Sequence, residues 1–176
     1  MSVTPANLYE VPDDDGFLGL LDPDAYAGFV RKDWTLSRLL VHLRMQMRKR
    51  RLLLWGTGRE GMWRVRVELG SAAPRGFRDV TGPIVSTRGR LLLTHWGALT
   101  MAASYADTRL PERHEQVLLL TVPPGAYRCT VVQLEDPAAS HPDELYRQPK
   151  ADFVLALTHD DGAQAPWAEL PWAEMS

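Results

Sequence analysis

A chain of 176 residues is the size of one ordinary domain and long enough to bury a substantial core. Its 45% apolar and 24% charged residues exclude disordered and collagen-like chains, and a net charge of −2 gives no overall pull toward nucleic acid. The single cysteine, Cys129, rules out an intrachain disulfide and fits a reducing compartment.

The charge is segregated along the chain. Residues 1–30 hold six acids and no Lys or Arg, the next 21 hold eight bases and one acid, and nine acids against Arg147 and Lys150 follow from Glu135 onward. The start is acidic rather than basic and apolar as in a secretory signal, and no apolar run reaches the roughly 20 residues that cross a bilayer. A cytoplasmic location with no membrane contact is expected.

In chain order, Leu8–Val11 and Phe17–Leu21 read as short strands around the turn Asp13-Asp14-Asp15-Gly16. Asp22-Pro23 looks like a helix start, predicting a short helix through Tyr26 and Phe29. The one strong helical signal is Leu36–Arg50. Leu36, Leu39, Leu40, Leu43 and Met47 fall on one arc, with Asp33 or Thr35 able to cap the start. Basic residues crowd its last turn, where the helix dipole favours them.

Beyond the helix, strands dominate. Leu52–Trp55 is short and apolar, and Met62–Leu69 alternates Trp63, Val65, Val67 and Leu69 with Arg64, Arg66 and Glu68, the pattern of a strand with one wet face. Ile84–Ser86 and Leu91–Trp96 read as a hairpin. Ala98–Tyr105 fits either a strand or a helical turn or two. Val117–Val122 and Tyr127–Leu134 read as a second hairpin, turning through Pro123-Pro124-Gly125, and Phe153–Leu157 as a final strand. Residues 136–149 are the most polar stretch and read as a long loop.

Seven to nine short strands with one convincing helix predict a mainly β fold, a β-sandwich or open barrel that is α+β by count. A single β-rich domain over residues 1–176 is expected. The repeat Pro166-Trp167-Ala168-Glu169-Leu170, Pro171-Trp172-Ala173-Glu174-Met175 is expected to pack on it as a tail over 163–176, because two exposed Trp side chains would be costly.

Catalytic chemistry is not evident. His42, His95, His114, His141 and His159 form no pair at the spacing that places two ligands on one helix face, and nucleotide-loop, nucleophile-elbow, zinc and calcium motifs are absent. Cys129 lies inside a strand as a structural thiol, Asp13-Asp14-Asp15-Gly16 reads as a tight acidic turn, and His159-Asp160-Asp161 as a solvated one. Accordingly no catalytic residue, cofactor or metal is expected.

On the helix, Arg44 and Arg48 lie on one flank and Arg38, His42 and Lys49 on the other, with Val41 and Met45 between them, opposite the core arc. An apolar pair rimmed by cations suits a protein partner better than nucleic acid, which would call for aromatic stacking platforms. Val41, Met45, Arg44 and Arg48 are therefore the partner-contact candidates. The competing expectation is that a second layer of the chain buries Val41 and Met45.

The run from Val117–Val122 through Pro123-Pro124-Gly125-Ala126-Tyr127 and Arg128–Leu134 to Phe153–Leu157 resembles the C-terminal half of the small bacterial competence proteins that inhibit a partner DNA-entry nuclease. It also resembles related bacterial β-sandwich proteins of unknown function. The resemblance implies a non-enzymatic bacterial interaction protein, an inhibitor or immunity-type partner of another protein. The alternative is a β-sandwich that holds a small polar or sugar-like ligand, with Trp63 and Trp96 as pocket residues.

Overall fold

The computed structural model describes residues 8–139 and 150–174. Among these, nine strands form two sheets. In chain order they are β1 (Leu8–Asp13), β2 (Phe17–Leu21), β3 (Leu52–Gly56), β4 (Gly61–Leu69), β5 (Arg78–Ser86), β6 (Arg90–His95), β7 (Leu119–Thr121), β8 (Gly125–Gln133) and β9 (Phe153–His159). Helix α1 (Leu36–Arg48) joins β2 to β3, and α2 (Trp96–Ser104) follows β6. A 3-10 helix, Arg113–Leu118, precedes β7.

The larger sheet runs β1-β4-β9-β8-β5 and the smaller β3-β2-β6-β7, and β4 with β9 is the parallel pair. Side-chain patterning explains the layering. β4 alternates, with Trp63, Val65 and Val67 buried, because its sheet has one wet face. β3 is buried along its whole length, because one face of the smaller sheet meets the larger and α1 packs against β3 from the other side. The sheets join through Trp55 of β3, whose ring lies 6.2 Å from that of Phe153 on β9. The fold is thus a β-rich α+β sandwich with helices on the smaller sheet, as the strand count predicts.

Several local expectations need correction. Leu91–Trp96 does not form a hairpin with Ile84–Ser86: β5 pairs with β8 and β6 with β2 and β7, so the chain crosses between sheets at Thr87. The same holds at Pro123-Pro124-Gly125, which carries the chain from β7 in one sheet to β8 in the other. Turn chemistry marks a reversal but cannot say whether the next strand pairs or crosses the core. At the second crossing the Tyr127 hydroxyl donates to the Pro123 carbonyl and the Val122 N–H to Gly89, fastening the arch. Of the two readings of Ala98–Tyr105 the helical one holds: Ala98–Ser104 lies in α2, and Tyr105 is its extended C-cap.

The segment after Asp22 is a single turn rather than a helix. Asp22 accepts from the backbone of Asp24 and, across the sandwich, from the Thr87 N–H and hydroxyl. The chain then runs extended between the helices. Ala27 bonds Gln46 and His42 of α1, and Val30 and Arg31 donate to Ala103 of α2.

Candidate functional site

Helix α1 begins at Thr35, whose hydroxyl accepts from the Arg38 N–H at 3.3 Å. Its buried residues are Leu39, Leu43, Gln46 and Met47. The buried stripe is therefore turned away from Leu36, which is 48% exposed, toward Gln46. The cause is the extended segment 22–34. The Ala27 N–H donates to Gln46 Oε1 at 3.2 Å, and His42 Nε2 donates to the Ala27 carbonyl at 2.6 Å, so on that flank Gln46 is buried and His42 half-buried with these hydrogen bonds made. Burial lowers the His42 pKa, partly offset by the Ala27 hydrogen bond.

This rotation decides the fate of the sequence-derived candidates. Val41 and Met45 are 58% and 44% exposed, so no second layer of the described chain buries them and the core expectation fails. Arg48 is exposed beside them. Arg44 is held by Glu169 of the C-terminal repeat at 2.7 Å. All four therefore lie together on the outward side of α1, with Arg44 already engaged. Arg38, Arg48 and Lys49 have no ion-pair partner among the described residues. The face is apolar at its centre and positive around it.

A cleft of about 360 Å³ opens where the β1–β2 turn, the β3–β4 turn and the C-terminal repeat converge. Asp13 organises it. Its buried carboxylate accepts from the N–H groups of Asp15, Gly16 and Phe17 at 3.1, 2.6 and 3.0 Å, and from Thr57 Oγ1 and Trp63 Nε1 at 2.8 and 2.9 Å. One side chain thus ties both turns to the core. The walls are Asp15, Phe17, Arg59, Glu60, Trp172 and Glu174. Arg59 stacks on the Trp63 ring at 4.2 Å and Arg78 on Trp172 at 4.4 Å. Burial lowers the Arg78 pKa, against the pull of Glu174 and Asp136.

Of the aromatic residues expected in a pocket, Trp63 is 2% exposed and bonded to Asp13, and Trp96 packs on Phe17 at 5.2 Å. Trp172, which the sequence offered only as part of a tail, lines the cleft instead. Cys129 is fully buried and burial pushes its thiol up to about 12, so it supplies no thiolate. His159 ends β9 rather than opening a turn, and after it Asp160 and Asp161 accept from the N–H groups of Gly162 and Ala163, with Asp160 buried rather than solvated.

Among the described residues no helix is long and apolar enough to cross a membrane. No protein-family model matches the chain, and no curated protein matches it in sequence. Two solved structures are similar to it. The first is described as Crocagin biosynthetic gene J, at 19% identity over 88% of this chain and 96% of that one, with a TM-score of 0.58. The second is ComJ, inhibitor of the DNA degrading activity of NucA, from Bacillus subtilis, at 12% identity over 87% and 95% of the two chains, with a TM-score of 0.51. The resemblance read from residues 117–157 is thus met in the fold, and it extends over most of the chain rather than its C-terminal half.

Proposed function

We propose that this chain is a non-enzymatic bacterial cytoplasmic interaction module of the inhibitor type, docking an acidic protein surface on the outward face of α1. The carrying observation is that Val41 and Met45 stand exposed on a helix whose other side is fully packed, ringed by Arg38, Arg48 and Lys49. An exposed apolar pair inside a cationic rim has the make-up of a small docking patch: apolar contacts for affinity, charge for steering. The shared fold with ComJ, itself described as an inhibitor of a DNA-degrading protein, supports the inhibitor class.

The test uses the immobilised full chain and its Val41→Asp/Met45→Asp variant against extract of the source cells, followed by titration of each purified retained protein. A protein bound by the wild type and lost by the folded variant supports the reading. Equal retention by both chains overturns this face. Retention of nucleic acid that fades steeply with added salt and with neutralised Arg38, Arg48 and Lys49 replaces the protein reading by a nucleic-acid one.

The cleft favours a second reading, a small polar or sugar-like ligand. Its volume is within the usual range of ligand pockets, and it combines the aromatic rings of Phe17 and Trp172 with charged groups of both signs. A panel of monosaccharides titrated against tryptophan fluorescence, with Trp172→Ala as the control, decides it: no saturable change, or a change that survives the substitution, removes this reading.

A further inference from the structure

The 3-10 helix Arg113–Leu118 opens with a reciprocal cap. The Glu112 carboxylate accepts from the Glu115 N–H, and Glu115 Oε1 accepts from the Glu112 N–H at 3.2 Å. The cap leaves the second oxygen of Glu115 over. Oε2 is buried with no hydrogen-bond partner among the described residues, on a side chain only 2% exposed. A buried acceptor with no donor is costly and points to a missing partner.

Other donors converge on this carboxylate. His114 Nε2 lies 4.0 Å from Glu115 Oε1, and one donor atom from each of Glu112, His114 and Glu115 falls within 4.8 Å of the others. The helix packs against β6, whose last residue, His95, is close enough to act on Glu115 electrostatically.

We infer that Glu112, His114 and Glu115 bind a divalent transition-metal ion of the zinc class. Zinc takes imidazole nitrogen and carboxylate oxygen at about 2.0–2.2 Å, and three protein ligands leave a position open for water. The imidazole sets the site apart from calcium and magnesium sites, which are built from oxygen donors. The ion gives Glu115 Oε2 the partner it lacks and balances two adjacent carboxylates. The cap has already satisfied the N–H groups of Glu112 and Glu115, so these do not face the ion bare. The His114 side chain is 75% exposed, which lets its ring close on the ion without repacking the core. This site is separate from the α1 face and stands or falls without it.

The test is equilibrium dialysis of the EDTA-treated full chain against zinc chloride, with a chromogenic chelator as competitor. One equivalent is expected to bind, with affinity falling about tenfold or more in His114→Ala and in Glu112→Gln, a loss at least as large as that seen when supporting groups of metal sites are removed. Glu115→Gln is expected to abolish binding, and if it fails to fold the two less buried variants still decide. Absence of saturable binding, or a bound equivalent unchanged in both His114→Ala and Glu112→Gln, overturns the site.

Discussion

Asp13 shows how much a single side chain can organise. Five donors converge on its carboxylate, so replacing it by Ala strands three backbone N–H groups and an indole N–H, while the Thr57 hydroxyl can still turn to the Arg59 carbonyl at 2.7 Å. Hydrogen bonds to a charged acceptor contribute more than neutral ones, and the loss is expected to reach about 3 kcal/mol in denaturant unfolding. Asp13→Asn, which keeps shape but not charge, should fall between. A loss within experimental error for Asp13→Ala would show that the turns hold themselves. Cys129 makes the opposite case, a reactive group silenced by its place. It sits inside β8 between β5 and β9, with no exposure. Labelling by a thiol reagent is expected to run only at the rate of opening of the larger sheet, and fast labelling of the native protein would contradict the packing.

At the scale of elements, α1 tests how far periodicity can be trusted. The helix itself was legible, because Leu39, Leu43 and Met47 repeat at helical spacing and Thr35 supplies a cap. Its rotation was not, since Gln46 is buried by a hydrogen bond to a segment with no regular structure, and no hydropathy pattern marks such a residue. The consequence for Val41 and Met45 is direct. Val41→Asp with Met45→Asp should leave the fold intact, with a combined cost of at most about 1.5 kcal/mol from helix propensity and the dipole. Loss of cooperative thermal unfolding would return both residues to the core. His42, on the same helix, should also be visible in acid. Burial holds its pKa below the ordinary value of about 6.5, so the unfolded chain binds the proton more tightly. Its contribution is complete above that pH and is lost as pH falls below it. His42→Gln can still donate to Ala27 and does not titrate, so its stability should decline less between pH 7 and 5. Parallel profiles for the two chains would remove His42 as a source of acid sensitivity. Strand positions were legible for the same reason as α1, whereas pairing was not: β5 and β8 lie far apart in sequence and choose each other through the sandwich.

For the whole molecule, the decisive structure is the way the C-terminal repeat closes the sandwich where β5 faces β3. Trp167 enters under Gly82, where a Cβ would lie 2.6 Å from its ring, and donates to the Thr81 carbonyl at 2.7 Å. In the second half of the repeat, the Gly56 N–H donates to the Pro171 carbonyl at 2.8 Å, and a Cβ on Gly56 would overlap the Trp172 carbonyl. Each half of the repeat thus meets a bare glycine on a different sheet. The repeat could be seen in the sequence, but its receptors could not, because a glycine needed for close approach looks like any other glycine in a strand. Glu169 links this strap to Arg44 and Trp172 forms a wall of the cleft, so the packing of the tail bears on both proposed surfaces. Trp167→Ala should cost about 3 kcal/mol, as for other large aromatic truncations in a core. Gly56→Ala should act differently, lifting Trp172 while Trp167 stays seated. Hydrogen exchange would then show the β3 edge and the cleft opening, with the interior of the larger sheet still protected. If Gly56→Ala instead lowers protection uniformly across both sheets, the repeat is an inseparable part of one cooperative core rather than a strap laid over its edge.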